Sequence, residues 1–409
     1  MTASAPETAA PRPAVLLLFA VACGLAVANV YFAQPLLDTL ADEFALDRAT
    51  AGLPVTVTQI GYGLGLLLLV PLGDLLPRRA LIVGQSLLSA LALVAVALAP
   101  GPDVLLGALG VVGLLAVVTQ VLVAHVASLV PPARRGRAVG SVTGGIVIGI
   151  LLARTVSGAL ADLAGWRSVY ATSAGATLAL ALLLRRALPV EPAPSRLSYA
   201  RLIGSTFALL AREPLLRVRA TLAMLIFGAV NLLLTPLVLP LSAPPHSLSH
   251  TQVGLFGLAG VAGALGARGA GRSADRGQAQ RATGLGLLAM LLAWVPIALL
   301  PWSLWALVAG VIAIDFGLQS VHVANQGLVL RLRPEARSRL TAAYMSFYSL
   351  GSAVGALAST WLYARAGWSG VCAAGAVTSA VALLFWRATR QGAPDADAPP
   401  AGCAAAAPD

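Results

Sequence analysis

The sequence predicts an all-α polytopic membrane protein: twelve transmembrane helices in two pseudo-repeated six-helix bundles, with the N- and C-termini cytoplasmic. Three observations predict it. Of 409 residues, 58% are hydrophobic and 11% charged, whereas about a quarter of a soluble protein is charged. The apolar residues fall in repeated blocks of 20 or so, the length that crosses a hydrocarbon core of about 30 Å. Landmarks in the two halves recur at an offset of 201 or 202 residues. Disorder is excluded because a disordered chain is poor in apolar residues. A β-barrel would show alternating ten-residue segments, and none is present. Helix is forced in each block, because lipid offers no partner to backbone polar groups.

In chain order, the first-half spans are 14–37, 51–72, 80–99, 104–130, 138–161 and 167–187. The first is too long for a signal-peptide core, although Cys23 follows Val21 and Ala22, so it is read as a retained helix. Asp74 ends the second span and Arg78-Arg79 opens the third. Arg134, Arg135 and Arg137 separate the fourth from the fifth, Gly165-Trp166 the fifth from the sixth, and Arg185-Arg186 closes the sixth. A cytoplasmic linker, 188–215, begins with Pro189, Pro192 and Pro194 and continues as an amphipathic stretch from Ser198 to Arg212 that suits the membrane surface. The second-half spans are 216–241, 252–270, 282–300, 302–330, 340–363 and 369–387. The organisation is therefore an N-terminal tail 1–13, a bundle 14–187, the linker 188–215, a bundle 216–388 and a disordered tail 389–409.

All 27 basic residues are arginine and the net charge is +11. With the N-terminus inside, inner loops and tails hold 23 of them, outer loops hold Arg48, Arg167 and Arg365, and Arg154 lies within a span. That is a topological charge pattern, and it argues against nucleic acid as a partner. Asp38, Asp42, Glu43 and Asp47 fall on the outer loop 38–50. Cys23, Cys372 and Cys403 form neither a metal spacing nor an even disulfide set, so no metal or cofactor is expected. Gly284-x-Gly286-x-x-Ala289 imitates a dinucleotide turn but lies inside a membrane span without a preceding strand. No catalytic spacing is present, and the chain is not expected to be an enzyme.

The repeat is carried by Asp74 and Asp275, by Pro132–Arg137 and Pro334–Arg339, and by Gly165-Trp166 and Gly367-Trp368. Repeats about an axis along the membrane normal, enclosing a midplane site, are a transporter architecture. Over about 14–388 the chain resembles the major facilitator superfamily of secondary transporters. The loop after the eighth span, Gly271-Arg-Ser-Ala-Asp275-Arg276-Gly277 to Arg281, is similar to that superfamily's loop motif. The first copy, Gly73-Asp74-Leu-Leu-Pro-Arg78-Arg79, keeps the aspartate and paired arginines but lacks the early glycine, the arginine after Asp74 and the later glycine. The resemblance implies cytoplasmic gating loops at Asp74, Arg78 and Arg79 and at Gly271, Asp275 and Arg276. The alternative is that these arginines only fix topology.

In the fifth span, Ala153-Arg154-Thr155-Val156-Ser157-Gly158 aligns with the Gly-Pro pattern of proton-driven drug exporters, with arginine in place of proline. Asn29-Val-Tyr31-Phe-Ala-Gln34-Pro35 also resembles a branch of exporters of sugars or drugs.

Charges inside a membrane are functional by default. Arg154 is read as a fixed charge that faces a cavity and holds an anionic substrate or a carboxylate, with a structural ion pair to Asp162 or to a neighbouring helix as the alternative. Asp315, Gln319, His322 and Gln326 recur at steps of four, three and four, one helical face. Desolvation suits Asp315 to carry a proton, which His322 could relay; an interhelical hydrogen-bond network is the alternative. His125, near an interface, is a weaker candidate for proton coupling, with a satisfied structural histidine as the alternative. Asn29, Tyr31, Gln34, Gln59, Tyr62 and Gln120, with Asn231, Gln319, Tyr344 and Tyr348, suit an apolar pocket with a few polar contacts. Gly61–Gly65, Gly140–Gly144, Gly145–Gly149 and Gly351–Gly355 are spaced for close helix packing.

The expected function is proton-coupled efflux of a small organic solute across a bacterial inner membrane by alternating access. The expected partners are the solute, protons and the lipid bilayer, and the expected state is a monomer. The alternative is import of a sugar, amino acid or organic anion; a sensor or enzyme is more distant.

Overall fold

A computed structural model describes residues 13–130, 132–189, 198–261, 263, 266, 269, 278–333 and 336–390. The described residues form helices joined by turns, with no strand. The helices are α1 (Pro13–Tyr31), α2 (Leu37–Glu43), α3 (Leu53–Leu68), α4 (Arg78–Ala97), α5 (Pro102–Leu115), α6 (Val118–Leu129), α7 (Pro132–Ala164) and α8 (Trp166–Ala187). After them come α9 (Tyr199–Arg212), α10 (Pro214–Leu234), α11 (Val238–Ser242) and α12 (His250–Leu255). The last are α13 (Ala279–Ala298), α14 (Leu304–Leu332) and α15 (Arg337–Thr389).

Among the described residues, ten helices are long and apolar enough to cross a membrane. The last of these, α15, is two helices joined at Gly367, where φ is 63°. Large apolar side chains such as Leu91, Leu152, Leu285, Val295 and Leu384 are exposed along these helices. A water-soluble protein does not leave so many apolar side chains uncovered. The predicted span 252–270 begins with α12 and a 3-10 turn, Phe256–Ala259, and then runs partly outside the described residues.

Several predicted boundaries need correction. The first span breaks after Tyr31, passes through a 3-10 turn at Gln34–Leu36, and resumes as α2. Pro35 sits at the start of that turn, where its missing N–H interrupts the helix ladder. Asp38, Asp42 and Glu43 therefore lie on a helix, not on an outer loop. The fourth span breaks between α5 and α6, and the seventh between α10 and α11 beside Pro236. The Pro132–Arg137 stretch, expected as a loop, is the opening of α7.

The chain forms two compact units. One comprises Met1–Leu46, Leu53–Ile203 and Leu241–Gly257; the other comprises Asp47–Gly52, Gly204–Pro240 and Leu258–Asp409. They depart from the predicted contiguous blocks by two exchanged segments, and the linker is divided between them. Within the first unit, Gly145 and Gly149 of α7 meet the backbone of Ala20 and Gly24 on α1, while Gly61 and Gly65 of α3 meet Gly110 and Leu114 on α5. In the second, Gly351 and Gly355 meet Met224 and Gly228 on α10. A Cβ at these positions would strike backbone oxygen atoms. The Gly140–Gly144 pair is the exception: among the described residues nothing lies within 4 Å of a Cβ at either position.

Gly351→Ala should therefore lower the thermal unfolding midpoint of purified protein, by about 1–3 kcal/mol of overpacking. Gly140→Ala should leave it unchanged or raise it slightly, since alanine is the better helix former. Equal midpoints for the two variants would contradict the packing role.

Candidate functional site

In the first unit, the break in the first helix presents Gln34 to α7. Arg154 Nε donates to Gln34 Oε1 at 2.6 Å, and its guanidinium lies 5.3 Å from the centre of the Tyr31 ring, a cation–π distance. Tyr31 interacts in turn with Tyr62 on α3, and the Tyr62 hydroxyl is hydrogen-bonded to Gln120 and Thr119 at α6. Arg154, Gln34, Tyr31, Tyr62 and Gln120 thus form one polar string through four segments of this unit, the broken first helix, α3, α6 and α7. Asp162 is engaged elsewhere: it accepts from the Thr251 backbone N–H at 2.8 Å and the Thr251 hydroxyl at 2.6 Å. The alternative of an Arg154–Asp162 ion pair is not what the structure holds.

Other predicted residues are placed apart from the string. Asn29 Oδ1 accepts from Ser173 Oγ at 2.5 Å, joining α1 to α8. Gln59 is buried on α3. His125, 1% exposed, stands beside the Phe19 ring, with centroids 6.1 Å apart. Arg78 Nη1 donates to Ser128 Oγ at 2.7 Å, and Arg79 Nη2 to the Arg185 carbonyl at 2.6 Å. These two arginines tie the start of α4 to the ends of α6 and α8, where a helix C-terminus favours a cation. The backbone of Asp74 closes a 3-10 turn, Val70–Asp74. Gly271, Asp275 and Arg276 lie outside the described residues.

In the second unit, Asp315, Gln319, His322 and Gln326 are all half-buried on one face of α14; Ile312 and Phe316, which border that face, are exposed, and Gly317 and Ala324 on the opposite side are buried. Gly263 approaches so closely that a Cβ there would strike Asp315 Oδ2 and the Gln319 side chain. His322 Nδ1 is 3.0 Å from the Tyr344 hydroxyl, and the two rings stack. Phe227 of α10 sets its ring edgewise to His322 at 5.2 Å and to Tyr348 at 4.0 Å between centroids. Asn231 spends its amide on its own helix, donating to the Phe227 carbonyl at 3.0 Å.

Two residues of this cluster were not among the sequence candidates. Arg219, only 2% exposed, donates from Nη1 to Asn325 Oδ1 at 3.1 Å, and Asn325 is also hydrogen-bonded to Tyr344. No carboxylate pairs with Arg219 among the described residues. Arg219 passed for a topological charge beside Arg217, five residues after Pro214, and Asn325 falls one position off the predicted polar stripe. A buried guanidinium needs its acceptor. Asn325→Ala should therefore cost about 1.5–3 kcal/mol, read as a lower unfolding midpoint in detergent; an unshifted midpoint would show that the pair contributes nothing.

Each unit thus carries a polar string with a titratable or cationic centre, enclosed by apolar helices. That arrangement can bind and move a small solute or a proton. The sequence model described as Major Facilitator Superfamily matches residues 16–335 and 284–404. The chain belongs to the Major Facilitator Superfamily. It is 45% identical over 374 residues to the putative uncharacterized transporter YgaY of Escherichia coli strain K12, covering 91% of this chain and 95% of that one. It is 24% identical over 363 residues to a probable sugar efflux transporter of Helicobacter pylori strain G27, covering 86% and 88%. Its fold is similar to the crystal structure of a bacterial homologue of the human lysosomal transporter Spinster, with TM-score 0.77 and 16% identity, over 95% of this chain and 98% of that one. This superfamily member is a multi-pass membrane transporter of a small solute and not an enzyme.

Proposed function

We propose that this transporter exports a small organic solute, of sugar or drug type, in exchange for protons. The observation that carries the reading is the half-buried polar face of α14, where Asp315 and His322 lie about 10 Å apart along the helix. A carboxylate held there can gain a proton from one side of the membrane and lose it to the other as the protein changes state. The efflux direction draws on the similarity to the probable sugar efflux transporter of Helicobacter pylori. In this reading the protein sits in the bacterial inner membrane with both termini inside and crosses it twelve times. It works as a monomer without cofactor or metal, by alternating access of its two six-helix bundles. Asp74, Arg78, Arg79, Gly271, Asp275 and Arg276 act in its cytoplasmic gating.

A second reading, import of an organic anion or zwitterion, is favoured by one feature: the Arg154 guanidinium, held against Gln34 and Tyr31. One experiment separates the two. Proteoliposomes preloaded with labelled sugars or cationic drugs are given an acidic exterior. Antiport predicts faster solute exit that a protonophore abolishes. Solute accumulation inside under the same gradient would overturn export in favour of import.

A further inference from the structure

Residues 241–257 belong to the first compact unit, although the chain before and after them belongs to the second; residues 47–52 make the reverse exchange. The two segments are repeat-related. Gly52 packs on the Ala356 carbonyl and Gly254 on the Arg154 carbonyl, each residue 202 positions from its counterpart. Their chemistry differs. The 47–52 segment is held by neutral bonds: the Gly52 N–H donates to Thr360 Oγ1 at 3.3 Å, and that hydroxyl donates to the Ala49 carbonyl at 3.1 Å. The 241–257 segment is held by ions. His250 Nδ1 is 2.8 Å from Asp162 Oδ1, and Nε2 is 3.3 Å from Asp38 Oδ1 and 2.8 Å from Thr39 Oγ1.

We propose that His250, Asp38 and Asp162 form a proton-operated latch. Protonated His250 holds the 241–257 segment on the first unit, and loss of that proton frees it, so that opening on this face and proton release occur together. The proposal rests on the alternating-access reading, and it adds a proton site separate from Asp315. By the arginine distribution, this face is the outer one.

The geometry favours the charged form. Each ring nitrogen faces a carboxylate oxygen, and only the imidazolium can donate from both. A neutral ring would set a lone pair against Asp38 or Asp162. Thr39 can donate or accept, so it tolerates both forms. The other groups at hand do not replace the histidine. On α2, Glu43 is occupied by Trp166 and Arg167. On α7, Arg154 lies two turns before Asp162 and bonds Gln34. On α12 itself, Ser249 and Gln252 cap one another. Hydrogen bonding to Asp38 first, then to Asp162, pushes the His250 pKa up to about 9 against the opposing effect of burial.

A histidine released from these partners returns to about 6.5. The latch is therefore fully engaged below about pH 6.5 and is lost as pH rises through about 9. On release the proton passes from the ring nitrogen to external water.

The test reads the seat directly. Thr155, whose hydroxyl donates to the Gly254 carbonyl at 3.0 Å, lies under the segment. With Cys23, Cys372 and Cys403 replaced by alanine, Thr155→Cys is labelled by a membrane-impermeant maleimide in proteoliposomes without solute or gradient. Labelling should rise at least tenfold between pH 6 and pH 9 after correction for the free thiol's own pH dependence. His250→Gln should label at the high level throughout, and His250→Lys, which keeps its charge, at the low level throughout.

A pH-independent parent, or a His250→Gln profile that rises like the parent's, would overturn the latch. Monodisperse elution of each variant shows that it is folded. The readout needs no transported solute, so the latch can stand while proton antiport fails, and the reverse.

Discussion

Replacing Asp315 with asparagine is expected to abolish gradient-driven transport, by at least about 100-fold in initial rate, while solute exchange without a gradient persists. Asparagine has the same size and keeps one carbonyl acceptor, but it cannot take up or release a proton. The tight approach of Gly263 to this side chain means that size must be conserved for the test to be clean. Asp315→Glu should recover part of the driven rate, since charge returns at an altered position. The assay is efflux from preloaded proteoliposomes with acid outside, run beside counterflow at equal pH. Driven efflux unchanged in the asparagine variant would remove Asp315 from the coupling mechanism and leave it as part of a hydrogen-bond network within the second unit.

Arg154→Gln is expected to produce the second large loss. The guanidinium makes two contacts of different kinds at once, a hydrogen bond from Nε to Gln34 and a face contact with Tyr31. Glutamine removes the charge and both contacts. Arg154→Lys keeps the charge, but its compact ammonium cannot reproduce the planar stacking and the directed Nε bond together. Initial-rate kinetics should give at least a tenfold higher KM for the lysine variant and no measurable saturation for the glutamine variant. If both retain the parent KM and rate, Arg154 is a structural bridge between the broken first helix and α7.

The membrane helices were legible in the sequence because lipid imposes one simple condition, an apolar run of sufficient length, and the run itself reports it. The helix breaks were less legible, although their causes were printed in the chain: Pro35 beside Gln34, and Pro236 after Thr235. A hydropathy reading runs across such prolines because they are themselves compatible with the run.

The polar face of α14 was visible because a period reveals a face. Which residues meet across helices was not, because spacing within one helix says nothing about its neighbour. Arg154 shows this: Asp162, eight residues away on the same helix, was one alternative partner, and the structure sets the guanidinium against Gln34 of the broken first helix. The glycine pairs show it again. Gly140–Gly144 and Gly145–Gly149 have the same spacing, and among the described residues only the second pair faces another backbone. His250 drew no notice, because a histidine in a connecting segment acquires meaning only from the two aspartates folded against it.

The junctions at Gly165 and Gly367 have a mechanical consequence. Each is a single residue with positive φ, 78° and 63°, and helix begins again at once, as α8 after Gly165 and as the remainder of α15 after Gly367. A joint one residue long has no slack to store or absorb displacement. The two helices that meet at each glycine are therefore tied to each other in position at that end, while the glycine leaves the angle between them free to change.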